Sequence, residues 1–202
     1  MVRGGGAGAL CDLELRSNRH DRRDQAIDGF LRRFRVDEER AARTAALARH
    51  LHLQLTPEAG PYQRYLDWAS RLHEVGQAIS HSGAHKHGAY MVEHADMPGF
   101  TTGDQAVMGK LVLGHKGNLR KVKEQLENVD FARAQLALRL AAMMMHARLD
   151  EHIDGILLRM KSRIDIGVGA DWARRHPTVM FWLEKEKDSW GEVNVPMSVS
   201  VG

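Results

Sequence analysis

Apolar residues recur three and four positions apart through most of this chain, and beyond residue 155 the spacing changes to two. Ala26, Ile27, Phe30, Leu31 and Phe34 follow the mixed-charge stretch Asp21 to Asp24 and predict a first helix. Asp37 is placed to cap a second, with Glu38 and Glu39 in its first turn and Ala41, Thr44, Ala45, Ala48 and Leu51 along its buried stripe. That helix must stop before Pro57. Tyr65, Leu66, Ala69 and Leu72 mark a third, which puts His73 and Glu74 on its last turn, before a stop at Gly76. Further helices are predicted from Lys86 to Ala95, from a Thr102 cap through Met108 and Leu111, and from Asp130 through Leu136, Leu140 and Met144.

After these, Gly155 to Met160 is a short apolar run, and Ile164, Ile166 and Val168 alternate with Arg163, Asp165 and Gly167. Two strands joined by a tight turn follow from that pattern. A helix carrying Val179, Met180, Leu183 and Trp190 comes next, and Val195, Met197, Val199 and Val201 alternate again. The predicted fold is mainly α with a small α+β C-terminal lobe of β-β-α-β order. It divides into an opening segment 1–20, an all-helical domain 21–150 and a small α/β lobe 151–202. No repeat and no Ser/Pro/Gly-rich linker separates the parts, so they are expected to pack together.

Composition adds limits. With 202 residues, 43% hydrophobic and 27% charged, the chain can bury a real core and has no signature of disorder. No apolar run approaches the roughly 20 residues that cross a bilayer, so no membrane partner is expected. The opening MVRGGGAGALCDLEL lacks the apolar centre of a secretory signal, and Cys11, the single cysteine, has no internal partner. A reducing, cytoplasmic setting fits both. The formal charge is only +3, but 12 histidines add latent positive charge. Arg32, Arg33 and Arg35, and again Arg120, Lys121 and Lys123, form clusters that each read first as a solvated helix face, although together they could extend a basic track for a long polyanion. No stacking motif or groove-reading helix favours nucleic acid.

The richest chemistry lies between Leu72 and Tyr90, which holds His73, Glu74, His81, His85, Lys86 and His87. Imidazole and ammonium groups both contact phosphate oxygens, whereas neutral imidazole beside a carboxylate is raw material for a divalent metal site. The His81 to His85 step could set two rings on one helical face, but Ser82 and Gly83 put His81 ahead of the helix. A phosphate site needs no tetrahedral geometry and gathers Arg19, His20, His81, His85, Lys86, His87, His115 and Lys116 as candidate donors. The run Met143, Met144, Met145 and the tryptophans read as gap-filling core. Gly4 to Gly6 lacks the strand, helix and Lys-Ser/Thr context of a phosphate loop.

Several segments resemble the C-terminal half of the exopolyphosphatase and guanosine-pentaphosphate phosphatase family (Ppx/GppA). Gly8 to Leu13 is similar to its G-x-L-Y-D-L with Cys11 in place of tyrosine, and Arg19-His20-Asp21 with Arg23-Asp24 to its R-H-E-D-x-R-D. Ala69 to Gly76 resembles A-A-x-L-H-E-I-G, and His81 to Tyr90 resembles H-S-G-x-H-K-H-x-A-Y. Met97 to Phe100, His115-Lys116, Leu138 to Ala141 and Leu183 to Glu186 with Trp190 follow the family's order over most of the chain.

The resemblance implies an HD-like helical domain followed by a small α/β lobe. It also implies that hydrolysis belongs to two actin-like N-terminal domains that this sequence does not contain, together with their Mg2+. The chain is then expected to bind inorganic polyphosphate or guanosine pentaphosphate without catalytic residues or a cofactor of its own. It would help hold a homodimer, or pair with a separate catalytic half. Related HD enzymes use an upstream His, a His-Asp pair and a distant Asp as metal ligands. Here Arg40 falls near the first position and His73-Glu74 at the pair, so the pair is expected to form an orienting hydrogen bond. Two alternatives stay open: a self-contained metal-dependent phosphohydrolase using His73 and Glu74, and a regulatory or scaffold module.

Overall fold

The computed structural model describes residues 22–58, 60–149, 153 and 155–202. The described residues open in helix α1 (22–33), whose Ile27 and Leu31 are fully buried. Helix α2 (Glu38–Leu55) starts where Asp37 accepts a hydrogen bond from the Arg40 backbone N–H at 2.9 Å, and it ends before Pro57. A side-chain oxygen at that position satisfies a donor the helix cannot. Helix α3 (Gln63–Leu72) stops two residues short of carrying both His73 and Glu74; they lie at its junction with a 3-10 turn, Val75–Ala78.

Gly76 is not a left-handed stop: the described glycines with positive φ are Gly83, Gly99 and Gly117. Its role is close approach. A Cβ on Gly76 would stand 1.9 Å from the Ala84 carbonyl oxygen and 2.5 Å from the Gly88 nitrogen. Helix α4 (Ala84–His94) therefore packs directly on the backbone of the 3-10 turn. It begins two residues earlier than Lys86, and His81 precedes it as expected.

Helix α5 (Thr102–Gly114) is capped by Thr101, not Thr102. The Asp104 N–H donates to Thr101 Oγ1 at 3.1 Å, and the Thr101 N–H donates to Asp104 Oδ2 at 2.9 Å. Thr101 has Asp104 in place for that reciprocal bond, whereas Gln105, three residues after Thr102, is turned away to donate to the Val92 and Ala95 carbonyls. A 3-10 turn, Leu119–Val122, and the short α6 (Lys123–Leu126) lead to α7 (Val129–His146), capped by Asn128. α7 runs through the core: Leu136, Leu138, Leu140 and Met144 are inaccessible to solvent and join Leu51, Leu66, Leu72, Met108 and Leu111 in one cluster.

The chain then forms β1 (Ile156–Met160) and β2 (Ile164–Val168), an antiparallel pair. The helical stretch that follows is broken in two, α8 (Ala170–Arg175) and α9 (Pro177–Gly191). His176 stands outside the helical region at φ −127°, as a residue before proline is driven to do, and Pro177 opens α9. β3 (Met197–Val201) lies parallel to β2, giving the order β1-β2-β3. Val195 falls short of it, because Pro196 has no N–H for a ladder and contributes only its carbonyl, to the Ile164 N–H.

The fold is thus mainly helical with the β-β-α-β unit at the end. Gln54 of α2 joins them: its Nε2 donates to the Ile156 carbonyl at 3.3 Å and its Oε1 accepts the Leu158 N–H at 2.9 Å. One side chain thereby occupies the free edge of β1. No described helix is long and apolar enough to cross a membrane.

Candidate functional site

The close packing of Val75–Ala78 on α4 turns the end of α3 toward the ends of α5 and α7, and a cleft of about 1150 Å³ opens between them, the α1–α2 loop and α9. One end is lined by His73, His85, His115, Lys116, Gly117 and Arg139. The rest of the lining mixes Phe34, Val36, Ala142, Met143, His146 and Trp182 with the charged Arg35, Asp37, Arg40, Glu74, Lys185 and Glu186.

Three imidazoles meet at the first end. The His73 and His115 rings are 5.1 Å apart edge to face, and His85 and His115 are 6.3 Å apart. His73 Nδ1 donates to the Ser70 carbonyl at 2.7 Å and His115 Nδ1 to the Val112 carbonyl at 2.6 Å. A carbonyl only accepts, so both rings keep the proton on Nδ1 and the lone pair on Nε2. Burial lowers the pKa of both, and Glu74 only partly opposes this at His73. His85 is held at about 4, by burial first and then by Lys121, Lys86, Lys116 and Arg139. Lys121 itself is lowered to about 8 by burial, Arg139 and Lys86. These depressions share burial as their first cause; neighbouring cations add to it at His85 and Lys121, whereas at His73 the Glu74 carboxylate acts more strongly than Arg40.

Arg139 anchors the corner. It is nearly inaccessible, forms a two-pronged pair with Glu186 (Nε to Oε2 2.9 Å, Nη2 to Oε1 2.6 Å), and donates from Nη1 to the Gly114 and Gly117 carbonyls at 2.6 and 3.0 Å. The loop that carries His115 and Lys116 is fixed by those two bonds. Lys121 Nζ fastens it further by donating to the Lys116 carbonyl at 2.7 Å.

His73 and Glu74 do not form the expected hydrogen bond, since His73 Nε2 stands 3.8 Å from Glu74 Oε1. Arg40 takes the carboxylate instead, its Nε donating to both oxygens at 3.1 Å while Nη1 donates to the Met145 carbonyl at 3.3 Å. A carboxylate closed by a guanidinium is poorly placed to ligate a cation. Among the described residues, no three His, Cys, Asp or Glu side chains converge as metal ligands. The residues at this end do not fit a divalent metal centre.

Of the phosphate candidates, His81, His85, His115 and Lys116 line the cleft. Lys86 and His87 ride on α4 beside it without lining it, and Lys86 still acts on His85 through its charge. Arg19, His20 and Cys11 lie outside the described residues. The basic clusters divide: Arg35 lines the cleft and Lys121 supports it, whereas Arg120 pairs with Glu192 at 3.2 Å. Sequence reasoning missed Arg139, Glu186, His146, Trp182 and Met143. A signal existed for the α7 residues: positions 139, 142, 143 and 146 share one helical face. Trp182 and Met143 were read as core, yet both are only partly buried, unlike Trp68, Trp172 and Trp190.

Comparison with known proteins agrees with the architecture. The family model described as Ppx/GppA phosphatase, domain III, matches residues 22–187. A guanosine-5'-triphosphate,3'-diphosphate pyrophosphatase of Pseudoalteromonas translucida is 28% identical over 188 residues, covering 89% of this chain and 38% of that protein. The Vibrio cholerae protein of the same name is 26% identical over 211 residues, covering 98% of this chain and 42% of its own length. That of Aeromonas hydrophila is 32% identical over 136 residues, 64% of this chain and 27% of that protein. The chain spans about two fifths of the length of the first two. With the family model running from α1 through the first two strands and into α9, this chain belongs to the Ppx/GppA phosphatase family.

Proposed function

We propose that these 202 residues hold a chain of linked phosphates for a hydrolase of this family, and that they do not cleave it alone. The ligand is inorganic polyphosphate or the phosphates of guanosine pentaphosphate, the substrate class in the names of the relatives. One observation carries the reading: His81, His85, His115 and Lys116 line one cleft, and Lys121 Nζ and His85 Nε2 both stand within 4 Å of where a Gly117 Cβ would be, a gathering of donors and cations that a phosphate chain would engage. Lys116, His85 and His81 contact the ligand, Arg139 holding the loop that presents Lys116 and α4 carrying His85. Hydrolysis, with its Mg2+, belongs to a catalytic half beyond these residues, reached within a longer chain, a homodimer or a complex with a separate chain. Residues 21–150 and 151–202 act as two units, the second bracing the first through Glu186.

The test is equilibrium binding of long-chain polyphosphate at low and high salt, with phosphate release assayed in the same samples with and without Mg2+. Binding that weakens about tenfold or more between the two salts, without release, is expected, because each neutralised phosphate releases a counterion. Lys116→Ala with His85→Ala should weaken it further. Metal-dependent release by this chain would overturn the reading.

A further inference from the structure

Lys110, Lys185 and Lys187 each pair with a carboxylate, that of Glu93, Asp188 and Glu184 in turn. Lys121 is different: among the described residues its Nζ has one acceptor, the neutral Lys116 carbonyl at 2.7 Å, and no carboxylate. The charges that act on it most, Arg139 and Lys86, are both positive. An ammonium half-buried among cations gives up its proton readily, here at about 8, and the free amine that remains is a nucleophile. Gly117 opens the way to it. This residue lines the cleft at φ +74°, a conformation that suits a residue without a side chain. A Cβ there would stand 3.6 Å from Lys121 Nζ and 3.9 Å from His85 Nε2, so its absence leaves space beside the amine at the end of the cleft that Lys116 and His85 line. A nucleophile thus adjoins a phosphate-holding surface, and a small reagent carrying both an electrophile and a phosphate matches the two together.

We infer that Lys121 is a modification site for acyl phosphates, whose phosphate docks at Lys116 and His85 while Lys121 Nζ attacks the carbonyl carbon. The ammonium first releases one proton to solvent. The neutral amine then forms the N–C bond, the bond from the carbonyl carbon to the phosphate oxygen breaks, and a second N–H proton leaves with inorganic phosphate. Docking holds the carbonyl beside the amine, which replaces a random encounter with a positioned one. The amide that results keeps one N–H for the Lys116 carbonyl and carries no charge, so this corner loses a cation. Lys86 and Lys116 are exposed to solvent, where an ammonium keeps its proton, and they serve the phosphate and not the attack. The inference rests on the phosphate-holding reading above and adds a covalent reaction to it.

Its test exposes the wild-type chain to acetyl phosphate at pH 7.5 and follows each lysine by peptide mass spectrometry, with acetic anhydride as an acetyl donor that has no phosphate. At that pH a group titrating near 8 is about one quarter unprotonated, and an ordinary lysine about one part in a thousand. A weaker base is also a weaker nucleophile, which returns part of that advantage. With acetyl phosphate, Lys121 should react about tenfold faster than the exposed Lys161 or more, and its rate should level off above about pH 8 while that of Lys161 keeps rising. The preference should be severalfold smaller with the anhydride, which has nothing to dock. Inorganic tripolyphosphate, its binding measured in the same samples, should slow Lys121 and leave Lys161 unchanged. Equal rates at the two lysines, a preference no larger with acetyl phosphate than with the anhydride, or no protection by bound tripolyphosphate would each overturn the inference and leave phosphate holding intact. Failure of tripolyphosphate to bind would remove phosphate holding itself, and this inference with it.

Discussion

Arg40 and Glu74 are individually odd for an HD-like site and make sense only as a pair. A guanidinium where a ligand histidine would stand meets a carboxylate one methylene longer than aspartate, and each satisfies the other. His52 is the opposite case. It is 2% exposed, and neither ring nitrogen has a hydrogen-bond partner among the described residues. Burial, with Arg133 next, lowers its pKa, so the folded chain keeps it neutral and unsatisfied. His52→Leu should therefore raise stability by about 1–2 kcal/mol, a few degrees in Tm by thermal melts at pH 7. A lower Tm would mean that the ring has a partner, such as a buried water.

Two contacts between elements position the cleft. The first is Gly76 against α4, where the neighbouring atoms are backbone and cannot rotate away. Gly76→Ala should destabilise by about 3 kcal/mol or more, measured by denaturant unfolding, because α4 must lift off the turn and take His85 with it. The second is Arg139, which ties α7 to α9 and to the loop after α5. Arg139→Lys keeps the charge but has one donor group where four bonds are made, so it should cost about 3–5 kcal/mol. It should also weaken polyphosphate binding, and a wild-type unfolding curve for this variant would show that the loop is held by other means.

At the scale of the whole molecule, the cleft makes both stability and binding depend on pH. His73, His85 and His115 all have lowered pKa values, so the unfolded chain binds protons the folded chain refuses. Their contribution to stability is complete above about 6.5 and is lost as pH falls from there toward about 4. Denaturant midpoints across that window should fall with pH, and His85→Gln should flatten the fall. Binding has the reverse sign. Phosphate stabilises the protonated forms of His85 and Lys121, so affinity should drop as pH rises through about 8, where free Lys121 loses its proton. Titrations at pH 6 in buffers of different ionisation enthalpy should show net proton uptake on binding.

The helices of the core were legible because burial at a period of 3.6 repeats over many residues, β2 and β3 because a period of two does, and β1 as a short apolar run. The Asp37 cap, the halt before Pro57 and the place of His81 before α4 follow from local chemistry that each residue carries wherever it folds. The family was legible too, in the spacing of short motifs. What the sequence alone could not settle is which polar groups share a space. Arg139 and Glu186 stand 47 positions apart, and Arg40 and Glu74 stand 34 apart. A charge reads as solvated surface until the fold brings its counterpart within 3 Å. Trp182 and Met143 carry no periodic mark separating them from core, because the cleft wall is built from the same apolar residues as the interior. Whether such a face is covered or left open depends on how α7 and α9 cross, and only tertiary packing decides that.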